Sequence, residues 1–262
     1  MNLIPIMLYR TVFLPDCSDQ QGNNQKLPDA IVGDLDSIHT SVRSHYENLG
    51  VTVVEDRDQY STDFTKCLKY LKGHAGEILS PVTKPSASAS AKQGASASAK
   101  QGDASRLDIL ILGGLGGRVD QAFSQIHHLY QMTWEYSSAQ SAGSLYLVSE
   151  ESLTFVLQLG RNVIHTPGVC RPRPPHDQST LSSDRNAGGE DDLLEENVGI
   201  IPLSGPARIS TKGFEWDVKH WHTQIGGQLS TSNHIRDDIV EVQTDVPVLF
   251  TVELAGRFKR VR

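Results

Sequence analysis

The sequence predicts an α/β domain followed by an all-β domain. Three observations carry that expectation. Between residues 28 and 136, short apolar runs alternate with stretches of helical periodicity, the pattern of a mostly parallel sheet with helices. From Ser144 onward the character changes to short alternating runs punctuated by Gly, Pro, Asn and Asp, as in an antiparallel β-sandwich. A length of 262 residues with 38% hydrophobic side chains can supply two cores. The boundary is expected near residue 152, giving domains 1–151 and 152–262.

Each element has its own local signal. Ile31-Val32-Gly33 closes a strand, and His39 to Leu49 reads as a helix stopped by Gly50 in a left-handed cap. Val51 to Val54 is a short β-branched strand. Ser61 or Thr62 caps a helix carrying Phe64, Cys67, Leu68 and Leu71 at helical spacing, with Gly73 as its stop. Leu107 to Leu112 is a strand, and Arg118 to Tyr136 a helix with Val119, Ala122, Phe123, Ile126, Leu129 and Tyr130 on one face. The later strands are expected at 144–149, 153–157, 199–203, 207–210, 228–231, 239–242 and 248–254. Residues 85–105 hold a tandem Ser-Ala-Ser-Ala-Lys-Gln-Gly repeat without bulky apolar side chains, and 171–197 is rich in proline and acidic residues. Both read as disordered inserts.

Bulk chemistry excludes several classes. A net charge of -7 argues against nucleic-acid binding, which needs a basic face. The basic tail, Arg257, Lys259, Arg260 and Arg262, reads as a solvated end. Cys17, Cys67 and Cys170 fit neither a disulfide framework nor zinc-ligand spacing, so a reducing compartment is expected. No apolar run approaches the roughly 20 residues of a membrane span, and MNLIPIMLYR lacks the basic start and cleavage site of a signal peptide. Cytoplasmic location without membrane contact is the expectation.

The chemistry gathers at strand ends and helix starts. In Leu107 to Gln121, LDILILGGLGGRVDQ, a strand empties into glycines and then delivers Arg118, Asp120 and Gln121 at a helix mouth, a geometry suited to phosphate. The glycines, Gly116 among them, match neither G-x-G-x-x-G nor the P-loop pattern. Arg118 offers a planar fork for phosphate oxygens. The competing role, an ion pair with Asp120 two residues on, is disfavoured inside a helix. Asp34 and Asp36 follow a strand and, in extended geometry, point to one side, where a divalent metal would relieve their repulsion. A surface turn is the plain alternative. Asp63 with Gln59 and Thr62 sits at a helix start, either as a nucleotide site or as an ordinary first-turn acid beside its cap. His127 and His128 lack a third ligand at sensible spacing. Trp216 with the run Ser230 to Asn233 is either core and turn, or an aromatic face with small hydrogen-bonding groups for a cationic heteroaromatic ligand.

Taken in order, GDLDSI at 33–38, DQYSTDFTKCL at 58–68, GGLGGRVDQ at 113–121, TKGFEWDV at 211–218, STSN at 230–233 and VQTDVPVLFTVEL at 242–254 resemble the thiamine pyrophosphokinases of fungal type. The resemblance covers roughly residues 28–76, 107–168 and 198–254. It implies a Rossmann-like ATP-binding domain, a thiamine-binding β-sandwich and a homodimer with its sites at the subunit interface. The reaction implied is magnesium-dependent pyrophosphoryl transfer from ATP to thiamine. By the same resemblance Asp34, Asp36 and Asp63 hold metal or position the hydroxyl, and Arg118 steadies the transferred group. Asp120 orients or deprotonates the hydroxyl, with Gln121 beside it. Gln59, Thr62 and Gly116 line the nucleotide, Trp216 stacks on thiamine, and Ser232 and Asn233 bond its pyrimidine. The family's Ala-Asp-Gly-Gly-Ala-Asn motif has no counterpart before Pro28, so a lacking first β-α unit is expected. The alternative function this raises is an impaired form that binds thiamine or nucleotide, or dimerises with intact subunits.

Overall fold

The structure is a computed structural model that describes residues 6–8, 27–79, 107–113, 115–137, 142–166 and 193–259. The tandem repeat, most of the 171–197 insert, Cys17 and Cys170 lie outside the described residues. The chain divides into two compact units, Met1–Ser105 and Arg106–Arg262. The range 1–151, read as one domain, therefore spans the first unit and the start of the second.

In the first unit, strands β1 (Ile6–Leu8), β2 (Ala30–Gly33) and β3 (Thr52–Glu55) form a sheet in that order. β2 and β3 run parallel, with Ile31 opposite Val53, while β1 is antiparallel to β2. Every residue of β2 is buried because both faces are covered. Ile31, Leu35 and Val51 pack with Ile38, Tyr46 and Val53 on one side, and Ala30, Val32 and Cys67 with Val54 and Tyr70 on the other. Helix α1 (Thr40–Asn48) ends where Gly50 takes φ 81°. There the Gly50 and Val51 amides donate to Glu47 and Tyr46 carbonyls, satisfying the last turn. Thr62, of the two expected caps, starts helix α2 (Asp63–Gly73), its hydroxyl accepting from the Thr65 amide at 3.2 Å. The short helix α3 (Ala75–Leu79) follows.

The second unit opens with β4 (Leu107–Leu112), helix α4 (Val119–Ser137) and β5 (Ala142–Val148), a parallel pair with its crossover helix. The remaining strands are β6 (Ser152–Leu157), β7 (Gly160–His165), β8 (Leu194–Ile201), β9 (Ala207–Lys212), β10 (Trp221–Thr223), β11 (Ser230–His234), β12 (Ile239–Thr244) and β13 (Val248–Leu254). They build a six-stranded sheet, β11-β8-β13-β6-β5-β4, and a four-stranded sheet, β10-β9-β12-β7. Val198, Ile200, Phe250 and Val252 from the first sheet meet Ile209, Val240 and Val242 from the second in one core. An α/β part followed by a β-sandwich is thus what the chain forms.

Several local expectations change. β8 begins at Leu194, inside the segment read as loop, because Leu194 pairs with Leu254 and Asn197 with His234. β11 lies two residues later than the run read at 228–231. β7 went unread, since its alternation sets half-buried side chains against Arg161, Val163 and His165 on the exposed side. Along α4, Leu129 and Met132 are buried, whereas Val119 and Phe123 of the expected apolar face are exposed. No helix among the described residues is long and apolar enough to cross a membrane.

Candidate active site

The first unit places a charged cluster where β2 ends and α2 begins. Gly33 closes β2, and a side chain there would bring its Cβ to 3.0 Å from Asp63 Oδ1, so glycine is what lets Asp63 approach the strand end. The Asp34 amide donates to Asp63 Oδ1 at 3.1 Å. Chain direction then reverses through Leu35, which is buried at φ 61°. The Asp36 amide donates to Asp34 Oδ1 at 3.1 Å, so Asp34 and Asp36 share a turn rather than an extended segment. That corrects the expected geometry, while Asp34 and Asp63 do come together.

Lys66 stands one helical turn beyond Asp63 and is 2% exposed, a rare state for lysine. Its Nζ lies 3.4 Å from Asp34 Oδ2 and 3.4 Å from Asp63 Oδ1. Burial by itself would lower the ammonium, yet the Asp34 and Asp63 carboxylates together hold it above its ordinary value. Sequence reasoning missed this residue. The available signal was a lysine three residues after Asp63 and four before Tyr70, the spacing of neighbours on one helix face. Beside it, burial pushes the Cys67 thiol up to about 12, with Asp63 adding to the rise.

Upstream of Thr62 the chain is ordered by side chain to backbone bonds. Asp58 accepts from the Tyr60 amide at 3.0 Å and from Ser61 Oγ at 2.6 Å, which holds its carboxyl below the usual range. Gln59 lies exposed in this turn. Among the described residues no group of three or more His, Cys, Asp and Glu side chains gathers to cage a metal. Asp63 Oδ2 and the Asp36 carboxylate have no hydrogen-bond or ion-pair partner among the described residues.

The second unit carries the glycine loop between β4 and α4. Gly113, at φ 82°, donates to the Val148 carbonyl at 2.8 Å, and Gly117 turns at φ 78°. Arg118 precedes the helix; its carbonyl accepts from the Ala122 amide at 3.1 Å. Outside helical geometry the i,i+2 restriction lapses, and Arg118 Nε reaches Asp120 Oδ1 at 3.0 Å with Nη2 on Oδ2. The ion pair disfavoured in the sequence reading therefore forms. The hydrogen bond from Arg118 holds the Asp120 carboxyl below its ordinary value. Gly116, Arg118, Asp120 and Gln121 are all exposed.

The same unit builds a platform around Trp216, a residue that is 55% exposed. Asp217 accepts from the Gly213 and Phe214 amides at 3.0 and 3.2 Å, closing the loop. Asn233 is buried and spends its amide on Trp216, accepting from its N–H at 3.2 Å and donating to its C=O at 3.1 Å. It holds the loop rather than opening into solvent. Ser232 is exposed at φ 55°. The Trp216 and His234 rings lie 5.0 Å apart, and His234 Nδ1 stands 2.6 Å from Glu215 Oε2. Arg236 ties Glu215 to Glu196. His234, Glu215, Glu196 and Arg236 were not singled out from sequence, because a charged pair only declares itself once strands bring it together.

Comparison with known proteins agrees with both halves. Residues 8–140 match the thiamin pyrophosphokinase catalytic domain and residues 180–249 the thiamin pyrophosphokinase vitamin B1 binding domain. Thiamine pyrophosphokinase 1 of Arabidopsis thaliana is 28% identical over 93% of this chain and 72% of its own length. The thiamine pyrophosphokinase of Saccharomyces cerevisiae is 27% identical over 87% of this chain and 69% of its own. The crystal structure of yeast thiamin pyrophosphokinase superposes with a TM-score of 0.59 at 25% identity, covering 87% of this chain and 69% of that one. Thiamin pyrophosphokinase from Candida albicans gives 0.59 at 24%, covering 87% and 73%. With a catalytic-domain match over half its length and a vitamin-binding match over its sandwich, the chain belongs to the thiamin pyrophosphokinase family and is an enzyme of that type.

Proposed function

We propose that this enzyme transfers the terminal pyrophosphoryl group of ATP to the hydroxyethyl oxygen of thiamine, giving thiamine diphosphate and AMP. The observation that carries the reading is the Asp34–Asp63 pair at the β2 end and α2 start, within the segment matched as catalytic domain. Magnesium suits this donor set. It takes one or two carboxylates and fills its other positions with water and phosphate oxygens, so no protein cage is required. Asp63 Oδ2 and the Asp36 carboxylate would serve it, while Asp34, whose oxygens accept from Lys66 and the Asp36 amide, sets the turn that presents Asp36. When bound, the ion supplies charge neutralisation on the triphosphate.

The protein's own part is positioning and electrostatics. Gln59 and Thr62 serve the nucleotide from the α2 start, and Gly116 and Gln121 from the glycine loop. Arg118 is exposed, its tie to Asp120 is a surface pair, and its planar fork suits phosphate oxygens. Asp120, kept ionised, orients or deprotonates the thiamine hydroxyl. Trp216 offers a fixed aromatic face to a cationic heterocycle, with Ser232 as hydrogen-bonding neighbour and Asn233 holding the tryptophan in place. The active species in this reading is a cytoplasmic homodimer.

The test is AMP and thiamine diphosphate formation by the purified chain. Product that requires ATP, thiamine and magnesium together supports the proposal. Thiamine binding by calorimetry without turnover would reduce the chain to a binding form.

A further inference from the structure

Lys66 is among the largest fully buried side chains of the described residues and the charged one among them, and pyrophosphoryl transfer as proposed assigns it no part. Leaving an ammonium in an apolar setting costs several kcal/mol unless charge opposes it. Here that charge comes from Asp34 Oδ2 and Asp63 Oδ1, both 3.4 Å away, on carboxylates that remain partly solvated while the lysine does not. The arrangement divides the oxygens. Asp63 Oδ1 is occupied by Lys66 and the Asp34 amide, and Asp34 by Lys66 and the Asp36 amide. Asp63 Oδ2 and the Asp36 carboxylate carry no such partner among the described residues.

We propose that Lys66 is a buried cation of the site, a positioning residue that neutralises and orients Asp34 and Asp63 from the buried side, so that Asp63 Oδ2 and the Asp36 carboxylate, without a partner among the described residues, meet an incoming metal–triphosphate. The proposal rests on the metal–nucleotide reading of these carboxylates. Two consequences are physical. Without a cation the neighbouring carboxylates would repel, so Lys66 lets them stand together in the metal-free protein. With it, the net negative charge of the Asp34, Asp36 and Asp63 group falls by one, which weakens capture of a bare divalent ion and favours one that arrives with phosphate oxygens.

The experiment uses the full chain and manganese as the probe ion. Lys66→Met is expected to bind Mn2+ at least about tenfold more tightly than wild type, the direction set by removing a unit positive charge a few ångströms away. Lys66→Arg, which keeps the charge, is expected to stay within roughly threefold. In chelator, Lys66→Met should melt roughly 10 °C lower, and Asp34→Asn added to it should recover part of that loss. Unchanged Mn2+ affinity in a folded Lys66→Met variant would overturn the proposal, as would strictly additive melting shifts. If Lys66→Met alone does not fold, folding of the double variant supports the charge role and its failure to fold counts against it. Neither readout involves ATP or thiamine. A wild-type chain inactive in transfer would therefore end the enzymatic reading while these measurements still decide the role of Lys66.

Discussion

Asp63 is asked to do three things at once: open the first turn of α2, accept the Asp34 amide, and share a buried ammonium. Its amide isostere keeps the shape and much of the hydrogen bonding but removes the charge. Asp63→Asn is therefore expected to fold but to melt several degrees lower, because Lys66 keeps only Asp34 as counter-charge, while turnover falls at least about 100-fold, the scale of losing one charge-stabilising group. Steady-state rates with saturating ATP and thiamine check this, and a rate near wild type would remove Asp63 from the machinery. Its neighbour Cys67 makes the opposite case. With its thiol pushed up to about 12 by burial, the thiolate is scarce at neutral pH. In a chain carrying Cys17→Ser and Cys170→Ser, a thiol-disulfide dye at pH 8 is expected to label Cys67 only as fast as the protein opens. Immediate labelling of the native protein would show that the helix face against Val32 is not closed.

Element by element, the legible parts were those whose ends carry their own chemistry. Thr62 announces α2 by its hydroxyl and Gly50 ends α1 by its positive φ, and both are local properties of one residue. Replacing Thr62 by alanine is expected to cost about 1 kcal/mol of stability by leaving the Thr65 amide without its side-chain acceptor. Denaturant unfolding of the variant measures it; a loss indistinguishable from zero would mean solvent caps the helix equally well. The helix start at Val119 was less legible, and a one-residue error had chemical consequences. Placing Arg118 inside the helix forbids its pair with Asp120, whereas placing it before the helix permits it. Lys66 was illegible for a related reason. A lysine among Phe64, Cys67 and Leu68 reads as a solvated interruption until the strand end that supplies Asp34 is laid beside it. β7 and β10 fail differently, because edge strands with half-polar faces lack a period strong enough to stand out.

At the scale of the whole molecule, the sandwich core and the surface charges respond to different variables. Phe250, Ile200, Ile209, Val240 and Val242 are fully buried across both sheets, so the core's contribution does not depend on proton concentration. The contribution of the hydrogen-bonded and ion-paired carboxyls does. Glu55 beside Arg57, Asp58 beside Ser61, Asp120 beside Arg118, Glu215 beside His234 and Glu241 beside Arg161 are all held below their ordinary carboxyl values. A carboxyl depressed in the folded state stabilises fully above its unfolded value, and that stabilisation is lost as pH falls through the folded value. The sum is therefore expected to be constant from about pH 8 to pH 5 and to decline below roughly pH 4, where unfolded carboxyls begin to protonate. The arginine–carboxylate pairs reach solvent, so salt should soften their share of the decline. Melting temperature followed from pH 8 to pH 3 at low and high ionic strength tests this. A decline already under way between pH 7 and pH 5 would show that these carboxyls are not the groups responsible.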